Sequence, residues 1–182
     1  MIIFPDTLCC SGGAGKISTR SVRLEFGRED LLGDIRNRAY VQSHVQSDIP
    51  PERRHMMADV CEAGNVDVVT RELGIVVAEV RELLYPYTKC EVAEGASLDD
   101  VLSERGRYVL ELSVPESFSQ TTLELLEHLV HEYLVCRVLE LWLGMVLPDC
   151  AGIWRGRVAG AEAGIVSIKN TRRGALTRRM HP

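Results

Sequence analysis

The segment TTLELLEHLVHEYLVCRVLELWLGM, residues 121–145, decides the fold of this chain. Its apolar side chains occupy most sides of a helix rather than one stripe; they include Leu126, Leu129, Val130, Tyr133, Leu134, Val138, Leu141 and Trp142. A helix of this kind is stable in water only when other elements surround it, so we place it in the middle of a bundle. Thr121 and Glu124 have the spacing of a capping box, which predicts that the helix begins there.

Two further segments have the apolar spacing of helices that bury one side. Residues 66–83 carry valines and leucines at steps of three and four, with Asn65 as the expected N-cap and Pro86 as the stop. Many of these residues are β-branched, which favours a strand, but the spacing and the length favour a helix. Asp149 is the expected cap of the last helix, whose seam consists of Trp154, Val158, Ala161, Ile165 and Ile168.

The N-terminal half adds shorter elements. We predict a helix over residues 28–45 and a short helix around Met56, separated by the break at Pro50. Residues 21–26 and 108–114 alternate apolar and polar side chains, so each predicts a half-buried strand, and the two can pair as an antiparallel ribbon. The predicted fold class is mainly α: a helical bundle of four to five helices with a small two-stranded β element and extended N- and C-terminal arms.

The charge is divided unevenly along the chain. We divide the chain into an N-terminal arm (1–18), a bundle domain with the β insertion (19–168) and a basic C-terminal arm (169–182). The net charge is −5, but the last 14 residues hold 5 of the 21 basic side chains and no acid, which leaves the rest of the chain near −10. An acidic body disfavours wrapping nucleic acid, whereas the arm can contact phosphate or an acidic partner. The candidate contact residues of the arm are Lys169, Arg172, Arg173, Arg178 and Arg179.

Four glycines recur at every fourth residue of the last helix: Gly152, Gly156, Gly160 and Gly164. Each glycine inside a helix costs about 1 kcal/mol relative to alanine. Small residues at this spacing allow a second helix backbone to come close, so we predict close helix packing along the row. The basic arm that follows favours a contact between subunits over a contact within the chain.

The sequence holds little that indicates catalysis. Residues 11–16, SGGAGK, resemble a phosphate-binding loop, but Cys10 and Ile17 stand where that motif requires glycine and serine or threonine. A flexible arm explains the segment better. No serine or cysteine stands in a recognised nucleophile motif.

A cluster of potential metal ligands lies on the long helix, with no matching set on a second helix. It comprises Glu124, Glu127, His128, His131 and Glu132. We therefore expect no catalytic residues, no cofactor and no bound metal.

The cysteines and the apolar runs bear on the compartment. The six cysteines form no CxxC pair, and residues 1–5 lack the cationic start of a signal peptide. The most apolar run, residues 129–148, contains charged side chains, which excludes it as a membrane span. We expect a protein made in a reducing cytoplasm, with no contact to a membrane.

A compact helical bundle with a β excursion between helices and a C-terminal arm resembles the head–tail connector (adaptor or neck) proteins of tailed phages, over about residues 28–182. The resemblance implies a non-enzymatic structural subunit of a symmetric ring beneath the portal, in a virion assembled in the host cytoplasm. It implies as partners further copies of the chain and portal or other neck and tail proteins, with passing contact to DNA. An acidic body lining a channel would repel phosphate and let the duplex slide.

Two other classes of function stay open. A small helical DNA-binding or regulatory module would place Arg172, Arg173, Arg178 and Arg179 on phosphate and would bind duplex with a steep salt dependence. A helical metal-binding enzyme would use His128, His131 and nearby carboxylates, and His131→Ala would then abolish the stabilisation by its ligand.

Overall fold

The computed structural model of the chain describes residues 19–46, 49–88, 106–116 and 118–171. Its elements, in chain order, are β1 (Thr19–Gly27), α1 (Arg28–Val45), α2 (Pro51–Ala58), a 3₁₀ turn (Asp59–Cys61), α3 (Val66–Leu83), β2 (Arg107–Pro115), α4 (Gln120–Val146) and α5 (Pro148–Thr171). The predicted fold class is confirmed for the described residues: they form five helices and one two-stranded sheet. The predicted N-terminal arm and all of the C-terminal arm beyond Thr171 lie outside them.

Helix α4 lies at the centre of the bundle. It contacts α1 on one side, where His131 meets Asp34, and α3 on another, where Arg137 meets Glu79. Its buried side chains are distributed around the helix and include Leu126, Val130, Leu134, Val135, Val138, Leu139 and Leu143. The expectation from residues 121–145, that this helix needs neighbours on most sides, is therefore confirmed.

The two strands form the predicted antiparallel pair. Their register runs from Thr19 opposite Pro115 to Gly27 opposite Arg107. One face of the sheet is buried against the helices and carries Leu24, Phe26, Tyr108, Leu110, Leu112 and Val114. The Arg20 guanidinium donates to the carbonyl of Phe118 at 2.8 Å, which fixes the sheet beside the beginning of α4.

The N-terminal caps of two helices differ from the prediction. Helix α4 begins at Gln120, and its N-cap is Ser119, whose hydroxyl accepts from the Thr122 amide at 3.2 Å. The predicted capping box at Thr121 is therefore wrong, because a serine two residues earlier already satisfies an unpaired amide of the first turn. Asn65 precedes α3 as predicted, but its amide nitrogen donates to the Asp59 carbonyl at 2.8 Å instead of capping the helix with its side chain.

Helix α5 is longer at both ends than predicted. Pro148 is its first residue, so Asp149 lies in the first turn rather than at the cap. Proline suits this position because its fixed φ is helical and the first amides of a helix have no partner within it. At the other end α5 continues to Thr171, so the first residues of the predicted C-terminal arm belong to the bundle.

We expect Leu134→Ala, in the centre of α4, to lower the free energy of unfolding by about 2–5 kcal/mol, because it opens a cavity in a packed core. Leu134 is 0% exposed. Leu125→Ala on the same helix is the matched control, since Leu125 is 52% exposed. Urea unfolding followed by circular dichroism measures both. Equal losses for the two variants would contradict the central position of α4.

Candidate functional site

The glycine row lies on α5, which runs antiparallel along α4. Arg155 meets Glu140 near one end of the pair, and Gly164 meets Leu129 near the other. The face of α5 that packs inward is the predicted seam: Trp154, Val158, Ala161 and Ile165 are buried, and Ile168 packs against the core. The seam was thus predictable from its apolar spacing alone.

The four glycines do not share one environment. A row at every fourth residue moves about 40° around a helix with each step, so four members turn from one side towards the next. A Cβ on Gly164 would lie 3.0 Å from a methyl of Leu129, which is close helix packing of the kind predicted. Gly152, Gly156 and Gly160 are exposed and have nothing within 4 Å of a Cβ. No described residue of the chain accounts for these three.

The exposed glycines belong to an uncharged surface, which we call the α5 outer face. Between residues 152 and 170 it covers about 100° of the helix circumference. Its members are all exposed: Gly152, Gly156, Ala159, Gly160, Ala163, Ser167 and Asn170. Ile153, at its edge, is 58% exposed. A helix surface that stays in water is normally charged, so this face is unusual for a solvated side of a bundle.

Charged side chains flank the α5 outer face. On one rim lie Arg155, whose side chain is 74% exposed and whose Nε donates to Glu140 at 3.0 Å, and the exposed Glu162. On the other rim the Arg157 guanidinium lies 5.1 Å from the ring centre of Trp154. The face is therefore a strip of small residues between charged borders.

Both ends of α5 are fixed to the bundle. At its beginning the Trp154 indole donates to Gln42, and the Cys150 thiol donates to Gln46 at 3.1 Å. At its end the Lys169 ammonium donates to the Leu83 carbonyl at 2.7 Å, and the Lys169 carbonyl accepts from the Tyr87 hydroxyl at 3.1 Å. Lys169, predicted to contact a partner through the arm, is thus engaged within the chain, whereas Arg172, Arg173, Arg178 and Arg179 lie outside the described residues.

A second group of exposed apolar side chains lies beside the first turn of α5. Gln46, which accepts from Cys150, directly follows α1, so the last turn of α1 is adjacent to this turn. There Val41 is 59% exposed and Val45 is 75% exposed. Val41, Val45 and Ile153 are therefore exposed apolar side chains near the junction of α1 and α5.

Two of the five candidate metal ligands of α4, His131 and Glu132, contact another helix. His131 Nε2 lies 2.7 Å from an Asp34 carboxylate oxygen, and Arg38 donates to Glu132 at 2.6 Å. Glu124 accepts from Gln120 at 3.2 Å on the surface. Among the described residues, no group of three or more His, Cys, Asp or Glu side chains is placed to hold a metal ion. His128 and Glu127 are exposed on the same helix.

Cys136 lies within this polar cluster. Its thiol donates to Glu132 at 3.2 Å, and an Arg38 nitrogen donates to the sulfur at 3.4 Å. Burial, with the hydrogen bond to Glu132, raises the pKa of the Cys136 thiol to about 12. The thiol therefore stays protonated at neutral pH, and a protonated thiol is not a nucleophile.

A second polar cluster on α4 was missed by the sequence interpretation. Arg137 donates to Glu79 of α3 at 3.2 Å and to Glu140 at 2.9 Å, and Glu140 also accepts from Arg155 of α5. The Tyr133 hydroxyl donates to Glu79 at 3.1 Å, and burial raises the pKa of Tyr133 to about 12. The available signal was an arginine and a glutamate within an apolar run, because buried charges are normally paired.

Comparison with known proteins identifies no relative: no family model, curated protein or solved structure matches this chain. None of the helices in the described parts of the chain is long and apolar enough to span a membrane. The functional argument therefore depends on the surface of the bundle.

We expect Gly156→Ala and Gly160→Ala each to raise the free energy of unfolding of the monomer by about 0.5–1 kcal/mol, because alanine favours the helix and neither Cβ meets a neighbour. Gly164→Ala is the matched control: its Cβ would press on Leu129, so its gain is smaller or absent. Urea unfolding at concentrations where the chain is monomeric measures all three. A loss of stability at Gly156 would show that the isolated chain itself needs this glycine.

We expect Glu132→Gln to destabilise the protein at neutral pH and to match the wild type in strong acid. The hydrogen bond from Arg38 holds the pKa of Glu132 below its usual value near 4.5. A carboxylate with a lowered pKa stabilises the fold above that value, and this stabilisation is lost as the pH falls through the folded-state pKa. Unfolding measured between neutral and acid pH should show the two curves converge on the acid side; a constant gap would contradict the ion pair.

Proposed function

We propose that this protein is a non-enzymatic structural subunit that assembles with further copies of itself. The observation that carries the proposal is the α5 outer face, where three glycines that destabilise the helix have no neighbour within the described residues. A glycine retained at this cost is accounted for when another backbone approaches the helix there. The exposed Ile153, Val41 and Val45 support the same conclusion, since exposed apolar side chains near α5 are typical of a surface that association covers.

The polar groups support a structural role over an enzymatic one. The conspicuous titratable residues of α4 pair with α1, α3 and α5, and these contacts fix the helices relative to one another. The Cys136 thiol, the most enclosed reactive group of the first cluster, has a raised pKa. These groups are therefore arranged to hold the bundle together rather than to transfer protons or attack a substrate.

The finer proposal is a ring subunit of the head–tail connector of a tailed phage, docking through the basic arm. Its support is the resemblance in architecture together with the charge division between an acidic body and the arm. The arm would then begin after Thr171 rather than at Lys169, because α5 extends to Thr171 and Lys169 bonds to Leu83. Its candidate residues for a portal or neck partner are Arg172, Arg173, Arg178 and Arg179.

We expect the full-length protein to have a solution mass of two or more subunits by light scattering, and Gly156→Lys with Gly160→Lys to reduce it to one. Two lysines on the α5 outer face would block a close approach and introduce charge into the contact. Gly74→Lys is the matched control, because Gly74 is also exposed, lies inside a helix and has an open Cβ position.

The outcomes separate the two levels of the proposal. A wild type that stays monomeric at every concentration and with candidate partners would refute the assembly function. Replacing the four arm arginines by serine tests the arm separately: loss of binding to a portal or neck protein, with self-assembly kept, would support the connector. Binding of duplex DNA by the isolated chain, lost on the same replacement, would favour the DNA-binding alternative instead.

A further inference from the structure

We infer that two copies of this chain meet through their α5 outer faces in an antiparallel contact with two-fold symmetry, whose axis passes between Val158 and Ala159. The inference rests on the proposed self-association and specifies its surface and partner. Because a two-fold contact closes with two copies, a ring would need a second, head-to-tail surface besides it. It does not depend on the small residues alone. Two further features of α5, one on each rim of the face, match the same feature on the other copy when this symmetry is applied.

The first feature is a pair of opposite charges. Arg155 and Glu162 are seven residues apart, so they lie on the same rim of α5, about 5 Å on either side of the proposed axis. The two-fold axis is perpendicular to the plane that contains the two antiparallel helices. It places each rim beside the same rim of the other copy, and residues before the axis on one helix lie opposite residues after it on the other. Arg155 therefore faces Glu162 of the partner subunit, and the same pair forms a second time.

The second feature is an apolar side chain opposite a glycine on the other rim. Ile153 and Gly164 lie at equal distances on either side of the same axis, about 8 Å from it along the helix. Ile153 is 58% exposed, and at Gly164 the position of a side chain is filled by methyl groups of the partly buried Leu129. The contact would cover Ile153 with the apolar surface that Gly164 and Leu129 of the partner subunit form, and it would do so twice. The same axis therefore forms the charge pair on one rim and the apolar contact on the other.

The charges also decide the direction. If the helices were parallel, with the axis along them, each rim would lie beside the opposite rim of the partner subunit at the same height. Arg155 would then lie near Arg157 of the partner subunit, and its pair with Glu162 of the partner subunit would not form. Like charges placed opposite each other are unfavourable, whereas the antiparallel arrangement forms two ion pairs at the rim. The face between the rims has no charge to desolvate between Gly152 and Asn170.

Engineered cysteines test the geometry directly. Under the inferred symmetry the two copies of residue 159 are offset by only about 1.5 Å along the helices, whereas those of residue 163 are offset by about 13 Å. A disulfide requires Cα atoms roughly 4–7 Å apart. Ala159 and Ala163 are matched, since both are exposed alanines of the α5 outer face. The full-length background would carry Cys9→Ser, Cys10→Ser and Cys90→Ser, while Cys61, Cys136 and Cys150 are buried.

We expect Ala159→Cys to form a covalent dimer under mild oxidation and Ala163→Cys to remain unlinked. Cross-linking at both positions would indicate parallel helices and overturn the inference. Cross-linking at neither position, in a protein that light scattering shows to be assembled, would overturn it while leaving the proposed function in place. A protein that is monomeric throughout would refute both.

The ion pair provides an independent measurement. We expect Glu162→Arg to weaken the dimer about tenfold, because it replaces two attractive rim pairs by two repulsive ones. Glu162→Gln is the control, with a smaller loss, and sedimentation measures the dissociation constants of both. Glu162 is exposed, so neither change disturbs the core. A dissociation constant that is unchanged in Glu162→Arg would overturn the antiparallel contact.

Discussion

The burial of α4 is the constraint on which the rest of the structure depends. A helix with apolar side chains on most sides exposes a large apolar area to water unless other elements cover it, and this area dominates the energetics of folding. Helices α1, α3 and α5 and the buried face of the sheet provide that cover. Because each covering element presents its apolar side to α4, the opposite sides of those elements form the surface of the protein.

The polar residues of α4 have a structural explanation within this arrangement. A charged group in the middle of a bundle costs free energy unless a partner compensates it. Arg38 with Glu132 connects α4 to α1, and Arg137 with Glu79 connects it to α3. These pairs restrict how the helices can slide along one another. Glu132 is also one of the candidate metal ligands that the sequence indicates, because a sequence shows the residues of one helix but not their partners on another.

Helix α5 has two sides with opposite character. Its inner side follows an apolar seam and closes the bundle over α4, while its outer side is a strip of small, uncharged residues with Arg155 and Glu162 on one rim. A solvated surface does not require such a strip, whereas contact between two backbones does. The bundle thus exposes a low surface along α5, and the hydrogen bonds at Trp154 and Lys169 hold that helix in place.

The sequence by itself determined the fold class, the five helices and the pairing of the two strands, because the apolar periodicity of 3.6 or 2 residues is a local property of the chain. It also determined which side of α5 faces inward. The tertiary structure decided what lies opposite each remaining residue. Gly164 packs on Leu129, whereas none of the described residues lies within 4 Å of a Cβ at Gly152, Gly156 or Gly160, and Lys169 belongs to the bundle. The structure also decided that Ser119 is the N-cap of α4, because several neighbouring side chains can accept a hydrogen bond from the same backbone amide. Contacts between residues far apart in the chain depend on how whole elements pack, and no local pattern records that packing.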